Sequence, residues 1–180
     1  MKTAKQIFIL TLTLLLITAG VAAALAGVNS ITAPKIAQIN EEKTTRAIAA
    51  VLPDAETATQ TYAAASKDEA VQAVWTSETG YAVKVQTAGF GGTITMMVGL
   101  DKNGAVLGID IISHAETAGL GDVAASKSAK GQDFRAQYVG KSGILAVNKD
   151  GGEIDAITSA TITSRAVTNG VNIAMDFILD

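Results

Sequence analysis

The longest feature in the pattern of apolar and polar positions is a run without any charged residue, 22 positions from Ile7 to Val28. At ~1.5 Å of rise per residue, a helix of that length covers a hydrocarbon core of roughly 30 Å. The run therefore predicts a transmembrane helix over 7–28, behind a short N-terminal segment, 1–6. Lys2 and Lys5 precede it, and the first basic residue beyond it is Lys35. That asymmetry favours a cytoplasmic N-terminus and an extracytoplasmic body, diluted by Lys43 and Arg46. A cleaved signal peptide competes, because Ala24-Leu25-Ala26 has the form of a cleavage site after a basic start. The apolar run is longer than the ~7–15 residues of a signal-peptide core, and a retained anchor is the better reading.

Downstream the pattern breaks into shorter elements. Lys35 to Leu52 combines good helix formers with apolar positions at Ile36, Ile39, Ala47, Ile48 and Val51, and Pro53 closes it; this predicts a stalk helix within 29–53. The stretch from Asp54 to Lys67 is rich in Ala and Thr and weakly patterned, open to loop or short helix. Tyr81, Val83 and Val85 alternate with Ala82, Lys84 and Gln86, the pattern of a strand with one buried face, and Gly89-Phe90-Gly91-Gly92 interrupts it. Two β-rich runs, Thr93 to Leu100 and Ala105 to Ile112, flank Asp101-Lys102-Asn103-Gly104, whose Asn-Gly pair suits the positive φ of a tight hairpin turn. After a turn region from His114 to Asp122, the pattern predicts a short helix over 133–139. A strand over 143–147 follows, ending at Asn148-Lys149-Asp150-Gly151-Gly152. A last helix aligns Val167, Val171, Ala174, Met175 and Ile178 on one stripe, with Thr163 or Ser164 as its N-cap. With no repeat and no second domain visible, residues 54–180 read as one α+β domain, a mainly antiparallel sheet with packing helices.

Composition narrows the partners. Aromatic residues make up 4% of the chain, the net charge is −3 and the basic residues are scattered, so neither a stacking platform nor a phosphate-neutralising patch for nucleic acid is present. Without Cys the chain can neither ligate an iron–sulfur cluster nor carry a lipid on an N-terminal cysteine, and a single His argues against a His-rich metal site. No nucleophile–base–acid set or carboxylate pair is legible, so no residue is assigned to acid–base catalysis.

Candidate chemistry concentrates in Asp155-Ala156-Ile157-Thr158-Ser159-Ala160-Thr161-Ile162-Thr163-Ser164, with five hydroxyl residues just ahead of an amphipathic helix. Hydroxyls there ordinarily cap the orphan N–H groups of the first turn. The alternative is an anion site, since the same N–H groups and the positive end of the helix dipole favour a phosphate. Spacing alone favours caps and leaves the anion site open.

The stretch from Asp155 to Asn169 resembles the flavinylation segment of the G subunit of Rnf-type electron transport complexes, a segment shared with the C subunit of the sodium-pumping NADH:quinone reductase. A second part of the chain carries the same resemblance. Gly89-Phe90-Gly91-Gly92, the hairpin, and His114-Ala115-Glu116-Thr117-Ala118-Gly119-Leu120-Gly121 are similar to that family's Gly-rich strand and its His-x-Glu-Thr-x-Gly-Leu-Gly loop. The resemblance implies FMN joined through its phosphate to the last Thr of a [Ser/Thr]-Gly-Ala-Thr motif. That motif falls on Thr158-Ser159-Ala160-Thr161 and makes Thr161 the acceptor, with Ser159 where Gly is commonest and Ala118 where Pro is often found. It also leaves Glu116 and Thr117 either to contact the flavin or its ribityl chain or to form only a structural turn, lets the backbone of Gly119, Leu120 and Gly121 approach closely, and has His114 belong to the site or hold its loop.

In function, the resemblance implies a single-pass protein of the cytoplasmic membrane whose extracytoplasmic domain relays electrons within an ion-translocating ferredoxin:NAD oxidoreductase. Its partners would be the other subunits of that complex and, for maturation, a flavin transferase; the ion driven across the membrane would be Na⁺ or H⁺. A cofactor supplies such chemistry and the protein positions it. Within the same class the chain resembles the quinone reductase component less, because its outer domain is short. From a different class, a membrane-tethered binding or assembly domain without flavin would be consistent with Ser159 and Ala118.

Overall fold

The computed structural model describes residues 2–66 and 69–179; Lys67, which closes the weakly patterned stretch, and Asp180 lie outside the described residues. The chain divides into two compact units, Met1–Glu42 and Lys43–Asp180. Helix α1, Lys2–Val51, is the first element. In the first unit every side chain from Ile7 to Val28 is exposed, and the helix is long and apolar enough to cross a membrane. Its hydroxyls close on their own helix: Thr11 donates to the Ile7 carbonyl at 2.9 Å, Thr18 to Leu14 at 2.9 Å and Thr32 to Val28 at 3.0 Å. Such back-bonding satisfies the hydroxyls of an otherwise apolar run. The helix runs on through Pro34, where the stalk was expected to begin, at the loss of the one N–H that proline lacks.

In the second unit, a five-stranded antiparallel sheet follows in chain order: β1 Thr59–Ala63, β2 Val71–Thr76, β3 Gly80–Ala88, β4 Thr93–Asp101 and β5 Val106–Ser113. The hairpin β4–β5 is formed as expected. Only Gly104 takes positive φ, at 82°; the rest of the turn is tied by the Asp101 carboxylate, which accepts from the N–H groups of Asn103 and Ala105 at 2.8 Å each. Strand β3 differs from the expectation of one buried face. Val83 and Val85 are fully buried under helix α3, Thr161–Leu179, whose Val167, Val171, Ala174 and Met175 fill that side. Ala82 and Met97, on the opposite face, are also fully buried, against Ala47, Ile48, Val51 and Leu52. The last turns of α1 thus cover the second face, whereas Ile36 and Ile39 remain exposed. Gly99 sits opposite Gly108 in the ladder, and a Cβ at Gly99 would collide with the Val51 carbonyl, so the missing side chain is what lets the helix lie down on the sheet.

Strands β1 and β2 were not expected. β1 is an edge strand exposed at nearly every position, which leaves no period-2 signal. In β2 the register shifts between Val71 and Ala73, and the extra residue puts Ala73 and Val74 both inside, breaking the alternation. The strand expected over 143–147 is not formed; its one ladder contact is a parallel bridge from Val147 to Ile154. The Asn172 side chain takes both backbone groups of Leu145, accepting from its N–H at 2.9 Å and donating to its carbonyl at 2.8 Å, so this segment is tied to a helix instead of a sheet. The short helix α2 spans Ala129–Ala136, four residues earlier than expected, because Ser128 caps it by accepting from Gly131. Beyond it Tyr138 is buried, its hydroxyl 2.7 Å from that of Thr168 on α3. Burial pushes the Tyr138 phenol far above the usual tyrosine range, and the Thr168 hydrogen bond opposes the shift.

Candidate functional site

Three segments meet at the start of α3: the glycine turn 89–92 between β3 and β4, the loop 114–122 after β5, and the turn 157–161. The last is closed by the Ala160 N–H donating to the Ile157 carbonyl at 3.0 Å. Within it Ser159 is the one non-glycine residue at positive φ among the described residues, at 64°. An L-residue is disfavoured there and glycine is not, which accounts physically for a motif in which Gly is commonest at this position. The turn delivers Thr161 as the first residue of α3.

The hydroxyls expected as caps do something else. Thr163 and Ser164 lie inside the helix and are buried. The Ser164 hydroxyl accepts from the Ile157 N–H at 2.9 Å and donates to the Ala160 carbonyl at 3.0 Å, pinning the turn. The Thr163 hydroxyl donates in a short bond to the Glu116 carboxylate. The Thr161 hydroxyl, by contrast, has no partner among the described residues. It lines a cleft of about 350 Å³ together with Phe90, Glu116, Thr117, Leu120, Gly121, Ser159, Ala160, Ile162 and Thr163. Phe90, Leu120 and Ile162 give the rim exposed apolar surface, and the first N–H groups of α3 have no intrahelical acceptor. One turn further along the helix, Arg165 grips Asp150 with two bonds, Nε to Oδ2 at 2.7 Å and Nη2 to Oδ1 at 2.5 Å. The guanidinium holds the Asp150 carboxyl below its usual 3.8.

Of the residues singled out from the sequence, Glu116, Thr117, Leu120, Gly121, Ser159, Ala160 and Thr161 share this cleft. Thr158 and Gly119 line a neighbouring cleft of about 500 Å³, beside Lys130, Asp133 and Gln137. His114 is exposed and its Nδ1 accepts from the Glu116 N–H at 3.2 Å, so the imidazole steadies the loop from outside the cleft. Phe90, Ile162 and Thr163 were missed as site residues. Phe90 had a signal, an aromatic side chain set between glycines in a turn; Ile162 had none beyond its place next to Thr161.

A family model described as an FMN-binding domain matches residues 89–176, from the glycine turn into the last turn of α3. The G subunit of the Na⁺-translocating ferredoxin:NAD⁺ oxidoreductase complex of Acetobacterium woodii is 36% identical over 95% of this chain and 91% of its own length. The chain belongs to this G-subunit family. The G subunit of the proton-translocating ferredoxin:NAD⁺ oxidoreductase complex of Clostridium ljungdahlii is 41% identical over 53% of this chain and 51% of its own. For the G subunit of the ion-translocating oxidoreductase complex of Escherichia coli the figures are 45%, 46% and 42%. Against these two, the chain spans about half the length of the relative or less. The resemblance read from the hydroxyl segment and the His114 loop is thereby borne out, and both segments lie within the FMN-binding match.

Proposed function

We propose that this chain is the flavin-carrying electron relay of a membrane-bound, ion-translocating ferredoxin:NAD oxidoreductase complex, with FMN held by a phosphoester to Thr161. The observation that carries the reading is a threonine hydroxyl with no partner among the described residues, presented at a helix N-terminus into an open cleft, in a chain of the G-subunit family. The residues present fit the group. The N-terminal N–H groups of α3 suit a phosphate, the apolar rim of Phe90, Leu120 and Ile162 suits an aromatic ring system, and the cleft is open enough for electron exchange near a surface. FMN, when bound, supplies the redox chemistry. The protein fixes one end of it, orients the other against the 114–122 loop, and needs no acid–base residue. In the attachment step the Thr161 oxygen attacks the flavin-side phosphorus of a flavin dinucleotide; the new P–O bond to threonine forms as the phosphoanhydride bond breaks, the nucleoside monophosphate leaves and the hydroxyl proton departs to solvent. The chain then gains FMN less water, which requires a flavin transferase as partner. Residues 7–28 form the membrane span and residues 29–53 lead to a flavin domain, 54–180. The lysines at positions 2 and 5 keep the N-terminus in the cytoplasm and the flavin domain on the other side.

Expression with a flavin transferase, followed by intact mass and peptide mapping, tests the attachment. The expected result is one FMN adduct on the Thr161 peptide and none in Thr161→Ala, with the fold of that variant unchanged because the hydroxyl holds nothing in place. An adduct-free wild-type chain, under conditions where the transferase modifies a control substrate, would sink the reading. Because the chain has no Cys, sidedness is open to a single introduced one. Thr79→Cys in intact cells should react with a membrane-impermeant maleimide, and protection until the cells are lysed would reverse the topology.

A further inference from the structure

We propose that Glu116 is a positioning residue, a strut that joins three segments around Thr161 and sets the shape of the cleft through Gly91 and Thr163 instead of through a bond to flavin. One carboxylate oxygen accepts from the Gly91 N–H at 3.0 Å, in the turn between β3 and β4. The other accepts from the hydroxyl of Thr163, buried in the first turn of α3 two residues from Thr161. Among the described residues no backbone hydrogen bond joins the glycine turn, the 114–122 loop and the start of α3 to one another. Among the described residues the Glu116 side chain supplies the hydrogen bonds that join them.

The surrounding glycines are consistent with this role. A Cβ at Gly89 would run into one Glu116 oxygen, and a Cβ at Gly121 would lie 2.5 Å from the other and 2.5 Å from the Thr163 hydroxyl. Both glycines leave room for the strut. Both oxygens of Glu116 are also already engaged, one accepting from Gly91 and the other from Thr163, which leaves direct contact with flavin to other groups lining the cleft. Hydrogen bonds to a charged acceptor are the stronger kind, which suits a single side chain asked to hold two segments. The inference rests on the reading of Thr161 as the attachment site, but its first test does not.

That test uses the full chain in detergent, with Thr161→Ala as background so that no flavin is involved. Hydrogen exchange followed by mass spectrometry reads the peptides covering 89–92 and 114–121. Glu116→Ala should speed their exchange by about tenfold or more. Glu116→Gln should restore most of the protection, because its carbonyl can still accept from Gly91 and its amide can donate to the Thr163 oxygen. Thr163→Val should free the 114–121 peptide while leaving the glycine turn protected, and it serves if Glu116→Ala fails to fold. With Thr161 present, Glu116→Ala should slow flavin attachment by roughly tenfold at a temperature where every variant is folded, and Glu116→Gln should recover the rate. Unchanged exchange in both Glu116→Ala and Thr163→Val overturns the proposal. So does a flavin absorption or potential shifted as far by Glu116→Gln as by Glu116→Ala, which would make Glu116 a charged flavin contact. If the wild-type chain takes no flavin, the attachment reading falls and the exchange result still decides the strut.

Discussion

Strands β3 to β5 and the loops around Thr161 lie in one domain and are held by different means. The β3–β4 ladder runs without a break from Gly80 opposite Asp101 to Ala88 opposite Thr93. Val83, Val85, Met96, Met97, Val98 and Leu100 along it are fully buried. Stability there is spread over many apolar contacts and shared by two covering layers. The site loops bury little: Thr117, Gly119, Leu120, Thr158 and Ser159 are all exposed. They are fixed by a few polar side chains, Glu116 on Gly91 and Thr163, Ser164 on Ile157 and Ala160. The difference shows how a shallow site can be shaped on a small domain. A rigid frame supplies the stability, and single directional bonds supply the geometry.

The comparison can be broken at its strongest point by Leu100→Ala, which should cost about 2–5 kcal/mol of stability through lost burial and a cavity, read by denaturant unfolding of the flavin domain. At low temperature, where the variant is still folded, flavin attachment should be unaffected; a parallel loss of attachment would show that frame and site are not separable. Ser159→Gly sharpens the comparison from the other side. It removes the left-handed strain of an L-residue and adds backbone freedom to the unfolded chain, for a net gain of about 0.5–1 kcal/mol, with attachment retained. A loss of stability would mean that the φ of 64° is not strained. The smallest effect belongs to the exposed pair of Asp150 and Arg165. Since the Asp150 carboxyl is held below 3.8 in the folded chain, the stability it adds is fully present above that value and lost as the pH falls through the lowered one. Asp150→Asn should therefore be slightly less stable than wild type at neutral pH, with the two acid unfolding curves converging below 3.8; curves that stay parallel would remove the ion pair from the account.

Much of the frame was legible because local signals mark its elements. The Asn-Gly turn marks the β4–β5 hairpin, Tyr81, Val83 and Val85 alternate in β3, the apolar stripe of α3 keeps helical spacing, and the two motif segments stand out by their spacing of Gly and hydroxyl residues. Strands β1 and β2 were illegible for reasons that lie in the sheet itself, an exposed edge and a bulge that resets the alternation. Residues 143–147 read as a strand, since Ile144, Leu145 and Val147 carry the composition of one, yet a single Asn172 amide on a distant helix claims the backbone groups a ladder would need.

By itself the sequence determined an apolar helix long enough to span a membrane, an α+β domain with a central hairpin, the family, and Thr161 as the hydroxyl to watch, because each depends on residues close together in the chain. Only the tertiary structure decided that the end of α1 roofs the second face of the sheet, and that Thr163 and Ser164 serve as internal ties instead of caps. It alone also showed that the carboxyl group of Glu116 reaches a turn 25 residues before it and a helix 47 residues after it. Those facts concern distances in space between segments far apart in sequence, and no local pattern encodes which backbone group or hydroxyl a side chain will meet once the core has closed.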